Sequence, residues 1–185
     1  MYQINRIIHQ PDEPPWQDYR HFNTVQLPHE TRSWLLDQGS LTQRLIKASS
    51  GQFKVRVLSQ NWQRPRLSER ALLDMPVREV AIVREVLLLC HNQPWVFARS
   101  VMPAKSLVGG LRRLRNFDDS SLGAMLFRDT SMQRHPFQLA RIDGNSQSLP
   151  STVQQGKSLW GRRSRFELGG KPLMVSEIFL PTFQA

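Results

Sequence analysis

The segment that most constrains the fold is WGRRSRFELGGKPLMVSEIFLP, residues 160–181. It predicts two antiparallel strands joined at Gly169-Gly170, because glycine adopts the positive φ angles of a tight turn without steric cost. Side chains alternate between the two faces of a strand. One face of the second strand therefore carries Leu173, Val175, Glu177 and Phe179.

Glu177 is a carboxylate among these apolar neighbours. It requires a cationic partner, a bound proton or a polar ligand, because burying an unpaired charge is costly. If the two glycines alone form the loop, Arg162 lies directly opposite Glu177. A four-residue loop over residues 169–172 would place Ser164 there instead. With either loop, the first strand presents to this face Trp160, Arg162, Ser164 and Phe166.

A second hairpin is predicted by the apolar strands VREVAIVREVLLLC and WVFARSVMP, which flank a turn at residues 91–94. Loops of two or four residues at this turn give the same register. Arg84 then pairs with Val101, and Val86 pairs with Arg99. This register makes Arg84 and Arg99 diagonal neighbours on one face of the sheet.

These two arginines suggest a ligand. Arginine is rarely fully buried unless it is paired, so Arg84 is expected to face either Glu177 or an anionic ligand. Arg99 has a second option, since a long side chain near a strand end can reach solvent. Two arginines and a glutamate suit a small ligand with carboxylates at one end and a hydroxyl elsewhere. Guanidinium groups bind carboxylates through paired hydrogen bonds, and glutamate accepts a hydrogen bond from a hydroxyl.

Short helices are predicted before and between the strands. Pro28 opens one that ends at Gly39, and the capping-box pattern of residues 40–43 starts a second immediately afterwards. The backbone amides around residues 40–42 would point outward, where they either bind an anion or are merely capped. Two shorter helices are predicted, with caps at Ser68 and at Ser120 or Ser121, ahead of Leu122.

The order of elements is helices, strands, a helical insert and strands again, with hairpin connections throughout. This order predicts the α+β class with one antiparallel sheet of five to seven strands. The length of 185 residues predicts a single domain over residues 1–185. Residues 1–27, which are rich in Pro, Gln and aromatic side chains, are expected to form an irregular arm.

The composition limits the possible functions. A formal net charge of +10 favours an anionic partner, whether nucleic acid, lipid or metabolite, but it equally fits basic solvated surfaces. Cys90 is the only cysteine and the five histidines are scattered, so neither a disulfide nor a metal site is predicted. No apolar run approaches the roughly 20 residues of a membrane span, and no signal peptide is recognisable. A cytoplasmic protein is expected.

Four segments carry a resemblance to the chorismate pyruvate-lyase family of ubiquinone biosynthesis. They are WLLDQGSLTQRL (34–45), REVLLLCHNQPWVFARSVMP (84–103), SLGAMLF (121–127) and LWGRRSRFELGGKPLMVSEIFLP (159–181). The resemblance implies a six-stranded antiparallel sheet with helices on one side and a ligand enclosed under helical flaps. It also implies a monomer that needs no cofactor.

The resemblance places the family's ligand contacts on particular residues. The arginine and the glutamate, taken here as catalytic, fall on Arg84 and Glu177. A backbone amide contact falls on Leu122, and a second flap contact, usually methionine, falls on Leu41. Arg99 is added as a binding residue from the strand pattern, and Arg162 is expected to support Glu177.

The activity implied is the conversion of chorismate to 4-hydroxybenzoate and pyruvate, which supplies the aromatic precursor of ubiquinone. The alternative is a non-catalytic ligand-sensing module, because the fold is similar to effector domains of bacterial regulators. A nucleic-acid partner is not expected, since the arginines are not interleaved with exposed aromatic side chains.

Overall fold

The computed structural model describes residues 13–185, so the first twelve residues of the predicted arm lie outside the described part. Within it, a single antiparallel sheet with short helices confirms the predicted α+β class. The helices are α1 (His29–Leu35), α2 (Leu41–Ala48), α3 (Leu67–Leu72) and α4 (Leu122–Leu126). Turns of 3-10 helix cover Tyr19–His21, Thr24–Gln26, Ala104–Ser106, Gly109–Asn116 and Ser151–Val153.

The sheet has eight strands in the order β1-β6-β7-β8-β4-β3-β2, and β5 continues the line of β6 along β7. They are β1 (Gln17–Asp18), β2 (Phe53–Gln63), β3 (Ala81–Cys90), β4 (Gln93–Pro103), β5 (Met132–Arg134), β6 (Gln138–Ile142), β7 (Leu159–Leu168) and β8 (Lys171–Phe179). The structure has two strands more than the predicted six. The additional strands are β1 and β5, which are too short to show a strand pattern in the sequence. The arm predicted to be irregular supplies β1.

The C-terminal hairpin has the predicted two-residue loop. Gly169 and Gly170 take φ angles of +52° and +73°, and Leu168 pairs with Lys171 on either side of them. Glu177 therefore lies directly opposite Arg162, and the four-residue alternative is excluded. This register places the whole predicted face of β7 beside the face of β8 that carries Glu177.

The predicted register of the β3–β4 hairpin is wrong by one residue. Its turn uses His91 and Asn92, which both have positive φ, and the register shifts again at a bulge between Leu88 and Leu89. Arg84 consequently pairs with Ser100, not with Val101, and Arg99 pairs with Glu85. A one-residue slip moves a side chain to the other face, so Arg99 and Arg84 lie on opposite faces of the sheet.

Both faces of the sheet are covered. Helices α1, α2 and α4 pack on the face that carries Glu177, where they bury Leu35, Leu45 and Leu126. Helix α3 packs on the opposite face, where its Glu69 contacts Arg99. The expectation that all helices lie on one side therefore fails for α3.

Helix α3 also begins differently from the prediction. Its N-cap residue is Arg66, not Ser68. The carboxylate of Glu13 accepts hydrogen bonds from the amides of Leu67 and Ser68 at 2.8 and 3.0 Å. A carboxylate from the N-terminal arm thus satisfies the first amides of α3, where the helix dipole favours negative charge.

The other two predicted caps are confirmed. Ser40 accepts a hydrogen bond from the Gln43 amide at 3.4 Å and starts α2. Ser121 accepts one from the Ala124 amide at 3.2 Å and starts α4. None of the helices in the described part is both long and apolar enough to cross a bilayer.

Gly161 in β7 provides a test of how tightly the sheet is packed beside Glu177. A Cβ atom there would lie 3.0 Å from Ile178 Cγ1 and 3.1 Å from the Glu177 carbonyl oxygen. We expect Gly161→Ala to lower the free energy of unfolding by about 1–3 kcal/mol, measured by urea denaturation. Gly110→Ala is the control, because a Cβ atom there meets nothing within 4 Å. Equal stability of the two variants would contradict the tight packing.

Candidate active site

An ion pair between adjacent strands lies at the centre of the Glu177 face. Arg162 Nε donates to Glu177 Oε2 at 2.6 Å. The Arg162 side chain is 2% exposed and that of Glu177 is 17% exposed. The cation is therefore held inside the protein, while part of the carboxylate remains open to the space above the sheet.

Arg162 also holds the segment between α1 and α2. Its Nη1 donates to the carbonyl oxygens of Trp34 and Asp37 at 2.8 and 2.6 Å. These carbonyls lie at the C-terminal end of α1, where the helix dipole favours a cation. A single guanidinium thus connects Glu177 to the helical layer above it.

Arg134, the last residue of β5, is a second cation beside Arg162 and Glu177. Its Nε donates to Ser164 Oγ at 3.0 Å and its Nη1 to the Gln38 carbonyl at 2.8 Å. Burial, together with the neighbouring charge of Arg162, lowers the pKa of Arg134 to about 10, although Glu177 acts in the opposite direction. No hydrogen bond within the described residues joins Arg134 to a carboxylate.

Two helical segments, called flaps, cover Glu177, Arg162 and Arg134. Flap 1 comprises residues 36–48, which include α2, and flap 2 comprises residues 117–126, which include α4. The flaps touch through Thr42 Oγ1 and Ser121 Oγ, which are 2.6 Å apart. The predicted contact residues Leu41 and Leu122 are the first residues of α2 and α4, and both side chains are buried. The starts of the two flap helices therefore meet above the sheet.

A pocket lies between the flaps and the sheet. It is lined by Gly39, Leu41, Gly123, Leu126, Phe127, Arg134, Arg162, Phe166, Val175 and Glu177. The space left between these side chains is narrow and holds one water-sized sphere at most. A ring-sized ligand therefore requires the flaps to move apart.

Arg84 lies on the Glu177 face but does not line this narrow pocket. It pairs with Ser100, which in turn pairs with Val175, so its Cα lies roughly 12 Å from that of Glu177. Its Nη2 donates to the carbonyls of Asp118 and Ser120 in flap 2, at 2.6 and 3.1 Å. Its Nε is buried and has no hydrogen-bond partner in the described part of the chain.

Burial lowers the pKa of the Arg84 guanidinium, while Asp118 and Asp119 oppose that effect. Both of these aspartates are exposed to solvent. Arg84 therefore lacks a buried carboxylate partner, and its binding capacity on the inner side is not fully used.

The structure does not place Arg99 at the site. Its Nε and Nη2 donate to Glu69 at 2.7 and 3.0 Å, and its Nη1 donates to Glu85 at 2.8 Å. Burial opposes the charged state, but these carboxylates outweigh it and raise the pKa of Arg99. The prediction that Arg99 faces the ligand with Arg84 is wrong because of the one-residue shift in the β3–β4 register.

The two faces of the sheet differ in their balance of charge. On the face opposite Glu177, three arginines interact with three carboxylates: Arg66, Arg99 and Arg163 with Glu13, Glu69 and Glu85. On the Glu177 face, Arg84 and Arg162 are buried and Arg134 is half-buried, and of these three only Arg162 is hydrogen-bonded to a carboxylate among the described residues, the half-buried Glu177. That face therefore carries an excess of buried positive charge, and an anionic ligand would neutralise it.

The residues that sequence reasoning missed come from short or irregular segments. Arg134 lies in a three-residue strand that shows no alternation, and the Thr42–Ser121 contact joins the starts of two helices that are far apart in the chain. Within residues 13–185, no group of His, Cys, Asp and Glu side chains is arranged to hold a metal ion.

Comparison with known proteins identifies one family. The family model described as "Chorismate lyase" matches residues 11–185. "Probable chorismate pyruvate-lyase 2" from Pseudomonas entomophila (strain L48) is 43% identical over 166 residues, covering 90% of this chain and 88% of the relative. "Probable chorismate pyruvate-lyase" from Methylococcus capsulatus (strain ATCC 33009 / NCIMB 11132 / Bath) is 38% identical, covering 80% and 93%.

Solved structures share the fold at low sequence identity. The effector domain of PhnF from Mycobacterium smegmatis has a TM-score of 0.53 and 18% identity, covering 79% of this chain and 91% of that chain. The C-terminal domain of the histidine utilization repressor from Pseudomonas syringae pv. tomato str. DC3000 has a TM-score of 0.53 and 10% identity, covering 72% and 94%. These similarities concern the fold alone.

The Arg162–Glu177 pair yields a stability prediction. Arg162→Met leaves the Glu177 carboxylate and two carbonyls without their cation, and we expect a loss of about 3–5 kcal/mol of unfolding free energy. Adding Glu177→Gln should cost less in this background than in the wild type, because the two groups are coupled. Urea denaturation of the four proteins measures the coupling.

Arg165→Met is the matched control for this cycle, because Arg165 pairs with carboxylates nearer the surface. Its loss should be about 0–1 kcal/mol. Strict additivity of Arg162→Met and Glu177→Gln would contradict the direct pairing.

Glu69 yields a prediction about pH. Burial alone would raise the pKa of Glu69, but the hydrogen bonds and charge of Arg99 lower it below the ordinary value of 4.5. A carboxyl with a lowered folded-state pKa adds stability above its unfolded pKa and loses it as the pH falls through the folded pKa. Glu69→Gln should therefore reduce stability at pH 7 and flatten its decline below about pH 4.5.

The control is Glu30→Gln, which removes an exposed carboxylate. Urea denaturation at pH 7, 5 and 3.5 compares the variants with the wild type. An unchanged acid decline in Glu69→Gln would contradict the assignment.

Proposed function

This chain belongs to the chorismate lyase family, and on that premise we propose that it removes pyruvate from chorismate to give 4-hydroxybenzoate. Family membership rests on a match over residues 11–185 and on relatives that cover most of the chain. The observation in the structure that best supports the proposal is the excess of buried positive charge beneath the two flaps. Chorismate carries two carboxylates, which would neutralise that charge.

The chemistry asks little of the protein beyond binding and orientation. The bond between a ring carbon and the ether oxygen breaks, its electron pair leaves with enolpyruvate, and the neighbouring ring carbon loses its hydrogen as a proton. The ring becomes aromatic and enolpyruvate takes up a proton to become pyruvate, so no other reactant is consumed. The site contributes by excluding water and stabilising charge on the leaving group.

We assign roles to the residues on the Glu177 face. Glu177 would bind the ring hydroxyl and assist loss of the neighbouring proton, while Arg84 would bind the ring carboxylate. The backbone amides of Leu41 and Leu122, at the starts of the flap helices, would bind a carboxylate of the substrate; the family resemblance implies an amide contact at Leu122 and a second flap contact at Leu41. Arg162 holds Glu177 in position. Arg99 has no role in binding because it lies on the other face.

The assignment of Arg84 requires a change in flap 2. In the closed structure Arg84 Nη2 is bonded to the carbonyls of Asp118 and Ser120. Its buried Nε has no partner among the described residues. A carboxylate entering beneath flap 2 would satisfy Nε and the remaining terminal nitrogen through a paired arrangement.

The wider context is part of the same proposal. We place the reaction in ubiquinone biosynthesis, in the cytoplasm, with the chain acting as a monomer that needs no cofactor. Pyruvate release from chorismate is the experiment that tests the function directly. Gel filtration with light scattering tests the monomer.

A ligand-sensing module without activity is the competing function. The structural similarity to regulator effector domains favours it only at the level of the fold. The two functions differ in one result, because a sensor would bind chorismate or 4-hydroxybenzoate and release no pyruvate.

The proposed site predicts the effects of two substitutions on turnover. Arg84→Ala and Glu177→Ala should each lower kcat/KM for chorismate by about 100-fold or more, because each removes a buried charged contact with the transition state. The rate of pyruvate release from chorismate is measured in a coupled enzymatic assay. Arg56→Ala on the exposed edge of β2 is the control and should retain normal activity. Near-normal turnover in both site variants, with the fold intact, would defeat the assignment.

A further inference from the structure

We propose that Arg134 binds the carboxylate of the enolpyruvyl group of chorismate and stabilises that group as it leaves; this inference rests on the proposed function. The family resemblance points to Arg84, Glu177 and two flap residues and does not include Arg134. The case for Arg134 comes from its position in the pocket, its free hydrogen-bonding capacity and the chemistry of the substrate.

Position is the first argument. Arg134 lines the same pocket as Glu177 and Arg162. Its guanidinium carbon lies 5.5 Å from the ring centre of Phe166, another lining residue. An anion that entered between the flaps and the sheet would therefore meet this guanidinium directly.

Free capacity is the second argument. Arg162 donates through Nε to Glu177 and through Nη1 to two carbonyl groups of α1 and flap 1, and its Nη2 has no hydrogen bond to a described residue. Arg134 uses Nε and Nη1 on Ser164 and on flap 1, while its Nη2 makes no hydrogen bond to any described residue. Of the two cations beside Glu177, only Arg134 makes no hydrogen bond to a carboxylate among the described residues, so an entering carboxylate can bind it without displacing an existing ion pair.

The substrate decides which carboxylate Arg134 meets. In chorismate the ether carbon is next to the carbon that carries the hydroxyl, whereas the ring carboxylate lies across the ring. If Glu177 binds the hydroxyl, the enolpyruvyl carboxylate lies on the same side of the ring as Glu177. Arg134 lies beside Glu177. The Cα atom of Arg84 lies roughly 12 Å from that of Glu177, so Arg84 would bind the ring carboxylate at the opposite end of the substrate.

The role in the reaction follows from this placement. When the bond between ring carbon and ether oxygen breaks, the electron pair moves onto enolpyruvate, which then carries more negative charge than in the substrate. A cation held at its carboxylate stabilises that state more than the ground state. After release of pyruvate, the remaining product has no group at this position.

The substrate and the product therefore respond differently to loss of Arg134. We expect Arg134→Met to lower kcat/KM for chorismate by at least about 30-fold, because a buried charge contact is lost. The Kd of 4-hydroxybenzoate, measured by isothermal titration calorimetry, should change by less than about threefold. Arg134→Lys keeps a cation without the paired geometry and should recover part of the activity.

A purely structural role gives a different pattern. Arg134 also holds flap 1 through the Gln38 carbonyl, and loss of this bond alone would weaken the binding of chorismate and 4-hydroxybenzoate together. Arg44→Met is the matched control, because Arg44 holds the same segment through Ser33 and Asp37 but does not line the pocket. In Arg44→Met, the fold-loss in kcat/KM for chorismate and the fold-loss in affinity for 4-hydroxybenzoate should be about equal.

The outcomes separate the inference from the proposed function. An active wild type with an equal loss of chorismate turnover and product affinity in Arg134→Met overturns the inference and leaves the function standing. Normal turnover of chorismate by Arg134→Met also overturns the inference and leaves the proposed function standing. A wild type that releases no pyruvate overturns both. Thermal unfolding of each variant shows that the protein is folded, and Arg134→Lys carries the test if Arg134→Met is not.

Discussion

The Arg162–Glu177 pair is the interaction on which the rest of the site depends. The same guanidinium binds the carboxylate across the C-terminal hairpin and two carbonyls at the end of α1. It therefore orients Glu177 toward the pocket and also fixes the height of flap 1 above the sheet. Because the guanidinium is almost fully buried, it can do both only while its partners remain in place.

The two faces of the sheet differ in how their buried arginines are paired. Under α3, Arg99 is paired with Glu69 and Glu85 on the same side of the sheet, which leaves nothing for a ligand to neutralise. Under the flaps, Arg84 and Arg134 bond only to neutral groups. Binding of a dicarboxylate there would satisfy both cations, whereas on the α3 face it would break existing pairs.

The parts of this arrangement that could be predicted from the sequence are those set by local rules. Adjacent glycines favour a tight turn, so the sequence placed either Arg162 or Ser164 opposite Glu177, and the two-residue loop of the structure selects Arg162. Arg99 was misplaced because the turn at His91 and Asn92 and the bulge after it shift the register by one residue, and neither residue is a glycine. Arg134 gave no signal, since its strand is too short to show alternation.

Two turns therefore decide which charged side chains lie on the Glu177 face of the sheet. The turn at Gly169 and Gly170 brings Arg162 opposite Glu177, and the turn at His91 and Asn92 selects Arg84 over Arg99. Both lie at the ends of hairpins, away from the pocket, yet a shift of one residue in either would exchange the faces of a whole strand. Turn residues that do not line the pocket thus control which charges lie beneath the flaps, because in a sheet the register determines which residues can meet.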